Sequence, residues 1–287
     1  MKSRTVLLVP LLAVLGLLLA GCKGSVTADM AADAPADKQV TGVRVDIAGL
    51  EFKRSDETTE KLEFATTESA DLMQLVELQD SLRLFTAETL PEGSYVGVRL
   101  LLADDQQNAS VSRLDGTQFD LNLAEGDYTA IDFTVEKDKS SSASLSLTLD
   151  LRKSLAFSAD DSNYTLTPVL RSAVTDEAAQ VSGLVSATCP VGTSLAQGGA
   201  VYLFKGQDVD PNDLGSAAEP FATSAVTTTS LNDQFSYGLR FLPPGDYTIA
   251  LTCNGDTDEL GSDDDIAFVA TTNIQLSSAE TATHNFE

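Results

Sequence analysis

Between Leu145 and Leu151 every second residue is leucine, with Ser146, Thr148 and Asp150 between them. Side chains on a strand alternate faces with a period of two, so this run puts a leucine row into a core and a polar row opposite. The same period recurs in Val43, Val45 and Ile47 between Arg44 and Asp46, in Val96, Val98 and Leu100 between Gly97 and Arg99, and in Ile131, Phe133 and Val135 between Asp132 and Thr134. Together these runs predict sheets with one face on a core and one in water, as antiparallel sheets are built. One helical interruption is expected near 69–78, where Leu72, Leu75 and Val76 follow a 3.6 period behind Glu68 and Asp71.

A second β unit starts near Val181. Val181, Gly183 and Val185 open it, and further strand-like runs follow at 201–204, 235–241, 247–253 and 266–276. Tyr247, Ile249, Leu251 and Cys253 share one face, which turns Cys253 into the core. Cys253 and Cys189 form an even pair, and in an oxidising compartment a disulfide from an early strand to a late one is expected. The chain reads as mainly β: two antiparallel β-sandwiches over residues 38–175 and 181–287, with one short helix in the first.

The start of the chain gives an address. Lys2 and Arg4 precede an apolar run from Val6 to Leu19 that contains Pro10 and ends in Leu19-Ala20-Gly21-Cys22. A membrane-spanning helix needs about 20 apolar residues, and this run is shorter, so residues 1–21 read as a secretory signal peptide. Its exit resembles the lipobox of bacterial lipoproteins. That resemblance implies cleavage before Cys22, a diacylglycerol on the Cys22 sulfur and an acylated new amino terminus. Lys23, where an Asp would signal inner-membrane retention, implies the outer membrane, with the body facing periplasm or exterior. Residues 22–37, small, acidic and rich in Ala, read as a lipidated flexible tether.

The 287 residues carry a formal net charge of −25, and loss of the leader with Lys2 and Arg4 makes it two units more negative. Such a surface repels nucleic acid and excludes it as a partner. The acidity has two readings, divalent-cation binding or a solvated surface screened by salt. Trp is absent, aromatic residues make up 6% and His284 is the single histidine. Nothing in that inventory points to a catalytic machine.

One local pattern occurs three times, in Leu90-Pro91-Glu92-Gly93-Ser94-Tyr95, Ala124-Glu125-Gly126-Asp127-Tyr128 and Leu242-Pro243-Pro244-Gly245-Asp246-Tyr247. Each is a turn that delivers a Tyr to the start of an apolar strand. The expectation is a tyrosine corner, with the ring in the core and the hydroxyl returned to upstream backbone.

Several of these segments carry a resemblance. Asp33-Ala34-Pro35-Ala36-Asp37 before Val43–Ile47, the apolar 72–78, the turn at 90–95 before Arg99, Asp150-Leu151-Arg152-Lys153-Ser154 and Tyr164-Thr165-Leu166-Thr167-Pro168-Val169-Leu170-Arg171 are similar to bacterial lipoproteins with domain of unknown function 4382, over roughly 30–175. The family's opening Thr-Asp-Ala-Pro is Ala32-Asp33-Ala34-Pro35 here. The resemblance implies an envelope location and a β fold, and no activity. More loosely, Gly183, Val201-Tyr202-Leu203-Phe204 and the turn at 242–247 resemble transthyretin-like or carboxypeptidase-regulatory-like sandwiches, which implies a spacer or carbohydrate-binding accessory.

Two acidic loops could take calcium. Asp208, Asp210, Asn212 and Glu219 fall at positions 1, 3, 5 and 12 of a calcium loop, although the sixth position is Asp213 where Gly is required. The other loop offers Asp256, Asp258, Glu259, Asp263, Asp264 and Asp265. The competing reading is that both are solvated loops. No other cofactor is indicated. Arg99, Arg152, Lys153 and Arg171 are expected to pair with surface carboxylates, or else to form an anion or polysaccharide site. No catalytic residues are assigned: a nucleophile elbow, a phosphate loop and a dinucleotide fingerprint are absent from the sequence. The expected function is a non-catalytic cell-envelope lipoprotein, attached through its N-terminal lipid, that binds a protein or glycan partner. A structural spacer or scaffold without a discrete ligand is the alternative, and a carboxylate-dependent hydrolase a third.

Overall fold

The computed structural model describes residues 24–77, 79–103, 109–136, 142–228, 234–258, 260 and 264–287. The leader, Cys22, Glu259 and Asp263 lie outside them. The chain is mainly β, with two hydrophobic cores. The first is built from β1 (Gly24–Asp33), β2 (Val40–Arg54), β3 (Thr59–Asp71), β4 (Leu82–Leu90), β5 (Gly93–Leu102), β6 (Ser110–Arg113), β7 (Gln118–Leu123), β8 (Thr129–Val135), β9 (Ser142–Asp150), β10 (Leu155–Ser158), β11 (Asn163–Leu166) and β12 (Leu170–Val174). A four-stranded sheet in the order β12-β9-β1-β4 shares this core with an eight-stranded sheet in the order β10-β11-β7-β6-β2-β5-β8, to which β3 adds beside β2. Val26, Met30, Leu147 and Leu149 of the small sheet pack in one cluster with Val43, Ile47, Phe52 and Val98 of the large one.

The second core lies between a sheet in the order β16-β17-β13-β20 and one in the order β15-β14-β18-β19. Its strands are β13 (Ala179–Val185), β14 (Ala200–Lys205), β15 (Ala222–Ala225), β16 (Thr227–Thr228), β17 (Phe235–Leu242), β18 (Gly245–Thr252), β19 (Phe268–Leu276) and β20 (Thr281–Thr283). Most pairings are antiparallel, but β1 with β9, β7 with β11 and β13 with β20 run parallel. The β13–β20 approach is close. A Cβ on Gly183 would stand 1.7 Å from the His284 carbonyl oxygen, so only glycine fits.

The expected helix is present as α1 (Leu72–Glu77), with Leu72 and Met73 buried. Two further single turns, α2 (Leu151–Ser154) and α3 (Leu195–Gly198), carry no periodic signal because each is set by a cap: Asp150 and Ser194 accept the Lys153 and Gln197 backbone N–H.

The flexible tether expected at 22–37 is corrected. From Gly24 to Asp33 the chain is β1, an inner strand of the small sheet, in unbroken parallel register with β9 from Ser25↔Ser142 to Asp33↔Asp150. Val26, Ala28 and Met30 are fully buried. Small residues that look like linker composition are what an inner strand between two close neighbours accommodates.

Two alternations behave differently from expectation. Along β5 both Tyr95 and Val98 point inward while Val96 is 40% exposed, because the β5–β8 register shifts between Tyr95 and Gly97. Along β9 the polar row is as dry as the leucine row: Ser146, Thr148 and Asp150 are 0, 1 and 3% exposed. That face meets the second sandwich, through β1 against β15 and through β9 and β12 against β17.

Cys189 and Cys253 are disulfide-bonded, with Cα atoms 5.8 Å apart across a separation of 64 residues. Cys189 sits in the loop after β13 rather than on a strand, and Cys253 directly follows β18. Closing a loop of this length stabilises by about 4 kcal/mol on the chain-entropy account.

Candidate functional site: the seam between the sandwiches

In a chain with 18 Lys and Arg against 43 Asp and Glu, five cations gather where the two sandwiches meet. Three come from the segments 150–154 and 164–171, which fold as one unit. Asp150 caps α2, its backbone N–H donates to Val169 O at 3.0 Å, and Ser154 Oγ accepts the Val169 N–H at 2.9 Å. Leu151 enters the core, which leaves Arg152 and Lys153 to face the second sandwich. The expectation that Arg152 and Arg171 pair at the surface is corrected, since they are 4 and 6% exposed, whereas Lys153 does meet an exposed carboxylate, Glu219.

Arg152 Nη1 donates to Tyr202 OH at 2.8 Å and to the Gly255 carbonyl, and lies 3.4 Å from Asp258 Oδ2. Tyr202 in turn donates to Asp258 Oδ2 at 2.6 Å. Burial holds the Tyr202 hydroxyl well above its ordinary range, so it stays a donor. Lys153 Nζ donates to the Pro220 carbonyl and lies 3.7 Å from Glu219.

Arg171 grips both oxygens of Asp33 at the end of β1 and donates to the Arg240 carbonyl at 3.2 Å. Burial alone would lower the Arg171 pKa, but the Asp33 carboxylate outweighs it and the net shift is upward. Asp150 is pushed above the usual carboxylate range by burial and then by the neighbouring Asp33 charge. Arg240 returns the contact, donating to the carbonyls of Gln79 and Asp80 in the first sandwich. Lys38 points its ammonium at the carbonyls of Leu195, Ala196 and Gly199, each at 3.4 Å, and burial lowers its pKa.

Beside these contacts opens a cleft of about 750 Å³, within the range of small-molecule sites. The first sandwich lines it with Ala31 to Pro35, Met73, Val76 and Thr148, and the second with Thr223 to Thr228, Phe235, Tyr237 and Phe241. Lys38, Arg171 and Arg240 also border it. Their charges face Asp33 and backbone carbonyls, and the rest of the lining mixes small aliphatic side chains with hydroxyls, the rings of Phe235 and Phe241, and the acids Asp37 and Glu77.

The expected calcium loop does not assemble. Asp208 exchanges hydrogen bonds with Asn273, Asp210 is exposed, Asn212 Oδ1 accepts the Asp213 N–H, and Glu219 accepts the Gly215 N–H while facing Lys153. These side chains are held by separate partners and do not share a centre. In the other loop Asp256 and Asp265 are exposed and Asp258 is buried at the seam. Among the described residues three carboxylates converge only at Asp213, Asp258 and Asp264. Asp258 and Asp264 belong to the second acidic loop, which has no fixed ligand spacing, and Asp213 stands in the first where the calcium pattern requires Gly.

One sequence signal for the seam did exist. The run 201–204 is apolar without alternation, and in the structure Val201 and Leu203 enter the core while Tyr202 and Phe204 cover the outer face with Ala250. A strand buried on both faces implies something packed over it.

Two of the three repeated turns are tyrosine corners: Tyr95 OH donates to Pro91 O at 2.8 Å and Tyr247 OH to Pro243 O at 2.7 Å. The third is corrected. Tyr128 is half-buried and donates to Glu51 Oε2 at 2.9 Å, because its strand presents it to the outer face of the large sheet beside Arg99.

The family model described as a domain of unknown function, DUF4382, matches residues 23–168. No curated protein matches the chain. Solved structures that align with it include the Bacillus anthracis TIE protein, at 10% identity over 92% of this chain and 34% of that one, TM-score 0.22. The minor pilin GBS52 of Streptococcus agalactiae aligns at 13% identity over 92% of this chain and 95% of that one, TM-score 0.22. A fimbrial protein of Bacteroides ovatus aligns at 9% identity over 93% and 48%, TM-score 0.20. Alignments at this level bear on neither the fold nor the function of this chain. No helix among the described residues is long and apolar enough to cross a membrane.

Proposed function

The chain belongs to the family of the domain of unknown function DUF4382, and on that premise we propose that it is a non-catalytic, lipid-anchored envelope protein that holds a protein or glycan partner in the cleft between its sandwiches. The cleft carries this reading: it joins the exposed hydroxyls of Thr227 and Thr228 with the part-exposed rings of Phe235 and Phe241, a pairing suited to a neutral polar chain with apolar faces. The anchor rests on the Leu19-Ala20-Gly21-Cys22 exit, and Lys23 after it supports residence on the outer membrane, toward periplasm or exterior. Since β1 opens at Gly24, two positions after Cys22, an acylated Cys22 would hold the small sheet directly against the bilayer surface. A second reading, a rigid spacer, is favoured by the buried Arg152–Asp258 ion pair that joins the two sandwiches.

The experiment compares wild type, Cys22→Ser and Thr227→Trp in cells fed labelled palmitate, then screens the detergent-solubilised chains on glycan and peptide arrays. Label and membrane retention should vanish in Cys22→Ser. Thr227 is exposed at the cleft wall, so Trp there should block array binding without unfolding the chain. Retained label in Cys22→Ser removes the anchor, undiminished binding by Thr227→Trp moves the site out of the cleft, and no binding by wild type leaves the spacer.

A further inference from the structure

The two acidic loops of the second sandwich meet over the outer face of β14. There Asp213, Asp258 and Asp264 each offer a carboxylate oxygen, and the three oxygens lie within 4.8 Å of one another. Asp213 and Asp258 are fully buried. Asp258 is well supplied: Oδ1 accepts the Leu214 N–H at 3.0 Å, and Oδ2 accepts from Tyr202 and faces Arg152. Asp213 is not. Its Oδ2 accepts the Asp264 N–H at 2.6 Å, but its Oδ1 is shielded from solvent and has no hydrogen-bond partner. A buried carboxylate oxygen without a donor is strongly unfavourable, and two more carboxylates at this distance add repulsion.

We propose that Asp213, Asp258 and Asp264 bind a hard divalent cation, calcium above all. Oxygen ligands sit about 2.3–2.6 Å from Ca²⁺, so two ligands of one ion stand at most about 5 Å apart, which the measured convergence meets. Soft donors are absent from the group: Cys189 and Cys253 are in the disulfide, and the ring of His284 packs on Phe286. An all-oxygen, anionic set selects calcium or magnesium over zinc and copper. Calcium is preferred because it tolerates the irregular geometry that two loops supply. Asp213 Oδ1 gains the positive partner it lacks. Asp258 becomes a bridge, with the ion on one side and Tyr202 and Arg152 behind it as the groups that orient the ligand. The ion therefore braces the loops against the seam. Asp213 and Asp264 lie 51 positions apart, which is why no loop spacing reveals the site. This inference stands apart from the cleft reading, and neither needs the other.

The test uses the full chain in detergent after EDTA treatment, titrated calorimetrically with CaCl₂ and with MgCl₂, and melted with CaCl₂ or NaCl at matched ionic strength. Saturable calcium binding is expected with a Kd of about 10⁻⁴–10⁻³ M, the range of extracellular calcium modules. The melting temperature should rise with calcium and not with sodium. Asp213→Asn and Asp264→Asn each remove a ligand charge and should weaken binding by at least about 10-fold, the lower bound for loss of even a group that orients a ligand, whereas Asp210→Asn, exposed and outside the group, should bind as wild type. Circular dichroism in EDTA establishes that the variants are folded, and if Asp213→Asn is not, Asp264→Asn decides. Absence of saturable binding, binding unchanged in the folded variants, equal loss in Asp210→Asn, or a preference for magnesium would each overturn the proposal.

Discussion

Glu51 is 4% exposed on β2 and faces Arg99 and Tyr128 on the outer side of the large sheet. Arg99 also pairs with Glu125, and its guanidinium lies 4.6 Å from the Tyr128 ring centre. Burial pushes the Glu51 carboxyl upward, but the hydrogen bonds from Arg99 and Tyr128 outweigh it and the net shift is downward. A carboxyl depressed by folding adds stability above its unfolded pKa of about 4.3 and loses it as pH falls through the folded value. Glu51→Gln should therefore destabilise at pH 7 by about 1.5–3 kcal/mol, the worth of hydrogen bonds to a charged group. It should also flatten the loss of stability on acidification below about pH 4. Urea melts across pH measure both, and an acid limb as steep as wild type would sink the assignment. The tyrosine corners are the residue-scale feature most legible in the sequence, since Pro91 and Pro243 sit four residues before Tyr95 and Tyr247 and burial lifts both phenols to about 12. Tyr128 follows a turn without proline, and its outward direction depends on the sheet.

The strand β1 is the element that composition hides. Its buried row, Val26, Ala28 and Met30, has the period of two, yet Ser25, Thr27 and the alanines give it the look of linker. The structure buries Ala28 completely between β4 and β9. Ala28→Asp should lower the unfolding free energy by roughly 2–7 kcal/mol, the penalty for an unsatisfied polar group in a core. A tether would accept the same change without effect, so a thermal melt identical to wild type would return β1 to linker status. The long alternating strands were readable because each carries large apolar residues on one face. Those of β1 are small, and its pairing with β9 joins segments more than a hundred residues apart.

At the scale of the whole molecule, the seam is the feature from which most behaviour follows. Arg152 reaches across it to Tyr202, Gly255 and Asp258, so removing its guanidinium leaves a buried carboxylate and phenol without their cation. Breaking one side of a buried pair costs about 3–5 kcal/mol. Arg152→Ala should split a single unfolding endotherm into two, with the second sandwich released from the first. One endotherm at the wild-type temperature would mean that apolar contact alone couples them. Period-two alternation, the turn prolines and the cysteine pair are local or covalent properties, and they are enough to specify a mainly β chain. Which charge meets which is a different kind of fact. Arg152, Lys153 and Arg171 looked like surface cations and Asp213 like a flaw in a loop, because a charge's partner depends on elements brought together from distant parts of the chain. Only the packing of one sandwich on the other buries the polar face of β9 and opens the cleft, and only the meeting of two distant loops within the second sandwich gathers three carboxylates at an unpaired oxygen.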